Sequence, residues 1–155
     1  MARSILKDLD YNYKIDSNPK FTFVNFKLNH FPLSFDENGN LLNEDEIENL
    51  DNYLGNYIYS TYLLVDILNF IKDMDRDSII VVQGDHGIHT IKNNIIMDSF
   101  DTDIYGVQEI RNSVINAVYV PDKYRNEDEK YLGNPLNISR YIVNNFVGDN
   151  YKYIN

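Results

Sequence analysis

The chain has 155 residues, 43% apolar and 25% charged, which suits one modest domain with its own core and excludes a disordered polymer. Its formal charge of −10 excludes a nucleic-acid surface, which needs clustered Lys and Arg, and the lack of cysteine excludes disulfides, thiolate metal sites and a cysteine nucleophile. No apolar run approaches the roughly 20 residues that cross a bilayer, and residues 1–14 hold no apolar signal core, so the chain as it stands is expected to be soluble.

In chain order, residues 1–20 are polar and poorly periodic and read as an irregular lead-in. Phe21 to Leu28 (FTFVNFKL) is short and rich in aromatic and β-branched residues, which predicts a strand ending at Asn29-His30-Phe31-Pro32. Asp36-Glu37-Asn38-Gly39-Asn40 is a turn signal. A long helix follows, with Ile47, Leu50, Leu54, Ile58, Thr61, Val65, Leu68 and Ile71 or Lys72 at helical spacing as its expected face.

Ser78 to Gln83 (SIIVVQ) is a nearly continuous apolar run, the pattern of a strand buried on both faces in a parallel sheet. Gly84-Asp85-His86-Gly87 closes it. Residues 88–112 are mixed and aperiodic, which predicts a long loop. Val114 to Val120 predicts another strand, stopped by Pro121, and Asp122 to Gly133 a charged loop or short helix. Asn137 to Phe146 predicts a short helix with Gly148 as its stop, and residues 147–155 a tail. The order of elements suggests an α/β layered structure in which the first strand, long helix and second strand form a right-handed βαβ unit.

The sharpest chemical signal is Asp85-His86. Ligands gather beyond the carboxyl ends of strands in open α/β sheets, and both residue types bind zinc or manganese. Neighbouring side chains of an extended strand point apart, so the pair shares one cation only if the backbone turns; glycines on both sides favour that turn. The alternative is a strand-end turn in which Asp85 caps backbone N–H groups and His86 lies on the surface. His30, at the end of the first predicted strand, shares a sheet rim with the pair if those two strands are parallel neighbours; otherwise it is a hydrogen-bonded loop histidine. His89 is a weaker further ligand, and Asp36 and Glu37 are read as solvent-facing. No Walker loop, G-x-G-x-x-G, G-x-S-x-G or H-E-x-x-H is present.

Taken in order, FTFVNFKLNHFPLSFDENGN, YLGNYIYSTYLLVDILNFIKDM, DSIIVVQGDHG, NSVINAVYVPD and NPLNISRYIVNNFVGDNY resemble successive segments of sulfatase-like proteins of the alkaline-phosphatase superfamily. The closest branch resembles bacterial membrane-anchored sulfatase-like proteins, lipoteichoic-acid synthases and phosphoethanolamine transferases. The resemblance implies a partial alkaline-phosphatase-like layered sheet with helices on its faces. It makes residues 21–155 the C-terminal part of a catalytic domain. It implies action on sulfate or phosphate esters with a divalent metal (zinc or manganese, or else calcium) held by Asp85 and His86, and with His30 against the substrate anion. It places the nucleophile, the first acidic ligand and a membrane anchor in a missing N-terminal part, with the full-length protein extracytoplasmic and its substrate a cell-envelope glycan or lipid. The sequence departs from the pattern at Asn25, where a histidine is usual, at Phe31 and Leu33 around the proline, and at Asn134, where a serine is usual. The competing expectation is a noncatalytic remnant or binding module that keeps the fold.

Overall fold

A computed structural model describes residues 7, 19–27, 29–30, 32–43, 50–87 and 112–154. The chain divides into two compact units, the described parts of which are residues up to 75 and residues 76–87 with 112–154. At a coarse level the secondary structure is mixed α and β.

Unit one is built on helix α1, Leu50–Met74, whose 25 residues include no proline and carry Asp51 in the first turn and Lys72 in the last, matching the helix dipole. Its buried stripe is Asn56, Ser60, Leu63 and Ile67, spaced at four, three and four residues. The expected face is not the buried one: Leu54, Ile58 and Val65 are 49%, 42% and 46% exposed, and Leu68 and Ile71 only half-buried. The reason lies in what docks. Gly55 lets the loop backbone come close; a Cβ there would sit 3.0 Å from the Glu37 nitrogen. Asn56 beside it supplies an amide that the loop needs.

That loop, residues 32–43, folds on itself through a bridge between Phe35 and Leu41. Asp36 organises it: Oδ1 accepts from the backbone N–H of Asn38 (2.9 Å) and Asn40 (2.8 Å), and Oδ2 accepts from the Asn40 side chain at 2.8 Å. These bonds, the Asn40 side chain first, hold the Asp36 carboxyl below its ordinary range. Gly39 takes φ +81°, which favours glycine, and a Cβ there would lie 2.7 Å from Cζ of Tyr59, so a larger residue would also have to displace that ring. The turn expected at 36–40 is therefore present, but Asp36 serves the backbone rather than facing solvent unengaged. Phe35 packs its ring 5.2 Å from Tyr59, and Leu33 is buried.

The strand expected over 21–28 does not form among its described residues: 21–27 enter no ladder, and Phe21 and Phe23 are largely exposed. Residue composition makes a segment fit for a sheet, but a strand exists only with a partner. The expected βαβ unit thus lacks its first strand.

Unit two holds strands β1 (Ile80–Gln83) and β2 (Asn116–Tyr119). They pair antiparallel, Ile80 opposite Tyr119 and Gln83 opposite Asn116, and the Gly84 N–H extends the ladder to Ile115 O at 2.9 Å. Both strands are where the residue pattern put them, but the parallel, doubly covered sheet is not: β1 is half-buried with Gln83 exposed. An apolar run reports burial and is silent on the direction of the partner.

After Val120 and Pro121 come three 3-10 turns, Asp122–Tyr124, Glu127–Tyr131 and Pro135–Asn137. The last two are capped by Asn126 and Asn134, whose side chains accept from Asp128 N (2.9 Å) and Leu136 N (3.1 Å). Helix α2, Ile138–Ile142, continues as a π turn over Val143–Val147 and stops at Gly148, φ +93°, as expected. Tyr141 is wholly buried and donates its OH to Tyr124 O at 3.3 Å, while Phe146 meets the Tyr124 ring edge-on at 5.2 Å. Tyr141, Val120 and Ile138 are the buried apolar core among the described residues of the unit, with Phe146 at its edge. No helix among the described residues is long and apolar enough to cross a membrane.

Candidate metal centre

The chain leaves β1 through Gly84, whose Cβ, if added, would make only ordinary contacts of 3.5–3.6 Å and whose φ is not left-handed. Glycines on both sides were expected to favour a turn here; Gly84 makes no use of that freedom, because the ladder bond to Ile115 keeps it strand-like.

Asp85 and His86 nonetheless converge. Asp85 Oδ1 accepts from its neighbour's backbone N–H at 3.1 Å, which turns the carboxylate toward residue 86. His86 Nδ1 lies 2.7 Å from the Gly87 carbonyl oxygen. A carbonyl only accepts, so Nδ1 donates in this contact. Nε2 faces Asp85 Oδ2 at 3.7 Å. A cation about 2.1 Å from each atom, with an angle of about 120° between them, spans such a gap. The carbonyl on the far nitrogen is the support that metal-binding histidines usually have. Both readings of the tetrapeptide thus have a counterpart: a backbone cap through Oδ1 and a two-ligand pair through Oδ2 and Nε2.

The pair lies open to water, Asp85 91% and His86 48% exposed at the side chain. Among the described residues no group of three or more His, Asp or Glu is placed to hold a metal. The chemistry of the two donors suits a divalent cation, while their number leaves the shell incomplete. His89, the weaker candidate, falls outside the described residues, as does all but residue 112 of the loop expected over 88–112.

His30 belongs to unit one and sits exposed at a bend. What holds its turn is a residue that sequence reasoning passed over. Asn56 is completely buried; its Nδ2 donates to Asn29 Oδ1 at 3.1 Å and its Oδ1 accepts from the Phe35 N–H at 3.1 Å, so one amide clamps the chain on both sides of His30. The available signal was Gly55-Asn56 inside a long helix, where both residue types are unfavourable without a partner.

Around β2, Asn116 Nδ2 donates to Leu132 O at 3.2 Å, tying the strand to the following turns. Lys123 pairs with Asp77 at 2.5 Å, a bond that raises the lysine above its ordinary range. The chain matches no protein-family model, and no curated protein and no solved structure is significantly similar to it.

Proposed function

We propose that the chain is the C-terminal part of a metal-dependent sulfatase-like hydrolase or phosphotransferase of the alkaline-phosphatase superfamily, acting on sulfate or phosphate esters. The observation that carries this reading is the approach of Asp85 Oδ2 to His86 Nε2, 3.7 Å apart beyond the end of β1, with the imidazole oriented by the Gly87 carbonyl. Asp85 supplies negative charge for a zinc, manganese or calcium ion, and neutral His86 supplies a nitrogen donor. When bound, the metal would lower the pKa of a nucleophilic hydroxyl and neutralise the ester as charge moves to the leaving oxygen. The remaining ligands and the nucleophile come from an upstream part, which also carries the membrane anchor. His30, when protonated, binds an ester oxygen or protonates the leaving group. In this reading the sheet belongs to an alkaline-phosphatase-like layered domain, and the substrate is an anionic ester of the cell envelope.

The two-donor site and its open position favour a second reading, a noncatalytic module that keeps a weak cation site. Melting curves with zinc or manganese, together with turnover of a chromogenic phosphate diester and a sulfate ester, separate the two. Metal is expected to raise the melting temperature through binding to the native state, and Asp85→Ala and His86→Ala each to remove that rise. An equal rise in both variants sinks the assignment of the pair. Ester turnover restored by adding an upstream fragment with a Thr or Ser nucleophile supports the enzyme; binding without turnover supports the module.

A further inference from the structure

The loop of unit one holds a reactive bond that the ester chemistry does not use. Asn38-Gly39 is the one asparagine–glycine pair among the 155 residues. In such a pair the asparagine amide is lost without any enzyme. The backbone nitrogen of the next residue attacks the side-chain carbonyl carbon, and glycine, with no Cβ, leaves that approach unobstructed. Here a bond forms between Gly39 N and Asn38 Cγ, the bond from Cγ to the side-chain nitrogen breaks, and that nitrogen leaves as ammonia with the proton of the Gly39 amide. A five-membered imide remains, and water opens it. Attack of water at Cγ gives aspartate. Attack at the main-chain carbonyl gives isoaspartate, in which the chain runs through the side chain and gains one methylene.

The closed loop opposes the first step. Asn38 is exposed, so water reaches it, but the Gly39 N–H donates to Asp36 O at 3.1 Å and is held away from the Asn38 side chain. Its neighbours are fixed as well. The Asn38 and Asn40 N–H groups both donate to Asp36 Oδ1, at 2.9 and 2.8 Å, and the Asp36 N–H donates to Asn40 O at 2.9 Å. Gly39 lies against the Tyr59 ring with φ +81°. Ring closure requires the 38–39 peptide to rotate until its nitrogen faces Cγ, which disrupts this set together. The nitrogen must also shed its proton near the Asp36 carboxylate, whose charge opposes a second negative charge.

The isoaspartate product does not fit where the asparagine did. An extra methylene between residues 38 and 39 moves Gly39 off its seat on Tyr59 and shifts Asn40 and Leu41 out of register with Asp36 and Phe35. It also adds a carboxylate two residues from that of Asp36.

We propose that Asn38-Gly39 is a site of self-modification to isoaspartate, protected while the loop is closed and, once converted, holding the loop open. The reaction needs only water and is independent of the metal pair. Its rate follows the fraction of time the loop is open, because local openings expose reactive groups in proportion to their population. Unit one thereby carries an irreversible record of how long its loop has been released from Asn56.

The test incubates the full chain beside a capped peptide with the sequence of residues 34–42 in mildly alkaline buffer. Residue 38 is followed by peptide mapping, with an isoaspartyl methyltransferase to label isoaspartate. The folded chain should convert more slowly than the peptide by roughly tenfold or more. Asn56→Ala, which releases Phe35 and Asn29, should raise the rate in the chain by roughly tenfold, toward that of the peptide. Equal rates in chain and peptide overturn the protection, and a rate unmoved by Asn56→Ala overturns its dependence on the clamp. Should Asn56→Ala not fold, Asp36→Ala, which removes the acceptor shared by Asn38 and Asn40, takes its place with the same expectation. The isoaspartate fraction is then isolated and its hydrogen exchange compared with that of Asn38→Asp. Exchange should rise over residues 35–42 in the isoaspartate fraction and stay near that of the parent in Asn38→Asp. Parent-like exchange in the isoaspartate fraction overturns the claim that the product holds the loop open, and an equal rise in Asn38→Asp overturns the role of the lengthened chain.

Discussion

The two units hold irregular backbone against a helix in the same way, yet rest on different cores. In unit one, buried Asn56 clamps a loop at Asn29 and Phe35, and the helix leaves Leu54, Tyr57, Ile58, Tyr62 and Val65 largely exposed. In unit two, Asn137 and Asn144 hold residues 151 and 154 beside a core of Tyr141, Ile138 and Val120. Polar clamps therefore define the local structure of both units; among the described residues, unit two sets its clamp beside the wholly buried Tyr141, whereas the ring beside the unit-one clamp, Phe35, is only half-buried against Tyr59. Unit one should accordingly lose its loop without losing its helix, whereas unit two should fail as a whole.

The sharpest way to break that contrast is Tyr141→Ala. It empties the centre of unit two and should cost about 3–5 kcal/mol, seen as loss of cooperative protection throughout residues 112–154 in hydrogen exchange. Asn56→Ala comes next. It strands the Phe35 N–H and the Asn29 side chain, at about 1–3 kcal/mol, and exchange should rise over 29–42 while α1 stays protected. If α1 melts with the loop, unit one is as cooperative as unit two and the comparison fails. Gly39→Ala should cost about 1–2 kcal/mol from its left-handed backbone, plus displacement of Tyr59. Gly84→Ala, beside the candidate metal pair, should stay within about 0.5 kcal/mol in a denaturant titration.

The smallest effects are electrostatic. The folded Asp36 carboxyl is held below the ordinary aspartate value of 3.8, so its contribution is present above pH 3.8 and is lost as pH falls through the lower folded value. The Asn38 and Asn40 amide shifts should follow that acid step, and Asp36→Asn should remove it. Lys123 is raised above 10.5 by Asp77, so its contribution is complete below pH 10.5 and fades only at higher pH. Both groups are exposed, and salt should weaken both effects.

Legibility followed the range of the physics. The turn at Asp36–Asn40, the stop at Gly148 and the helix over Leu50–Met74 depend on neighbours within a few residues, and the chain states them directly. The Asp85–His86 convergence is equally local: a backbone N–H and the next carbonyl orient the two side chains. Sequence by itself thus determined the turn at residues 36–40, the long helix, the positions of β1 and β2 and the bend that brings Asp85 beside His86, because single-residue φ limits, residue patterns and nearest hydrogen bonds decide those matters. Tertiary structure alone decided that β1 and β2 run antiparallel, that residues 21–27 stay outside any ladder and that α1 buries its Asn56 side rather than its Leu54 side. Those outcomes depend on which distant backbone groups need partners, and a hydrophobic pattern records how much surface wants burial without naming what will cover it.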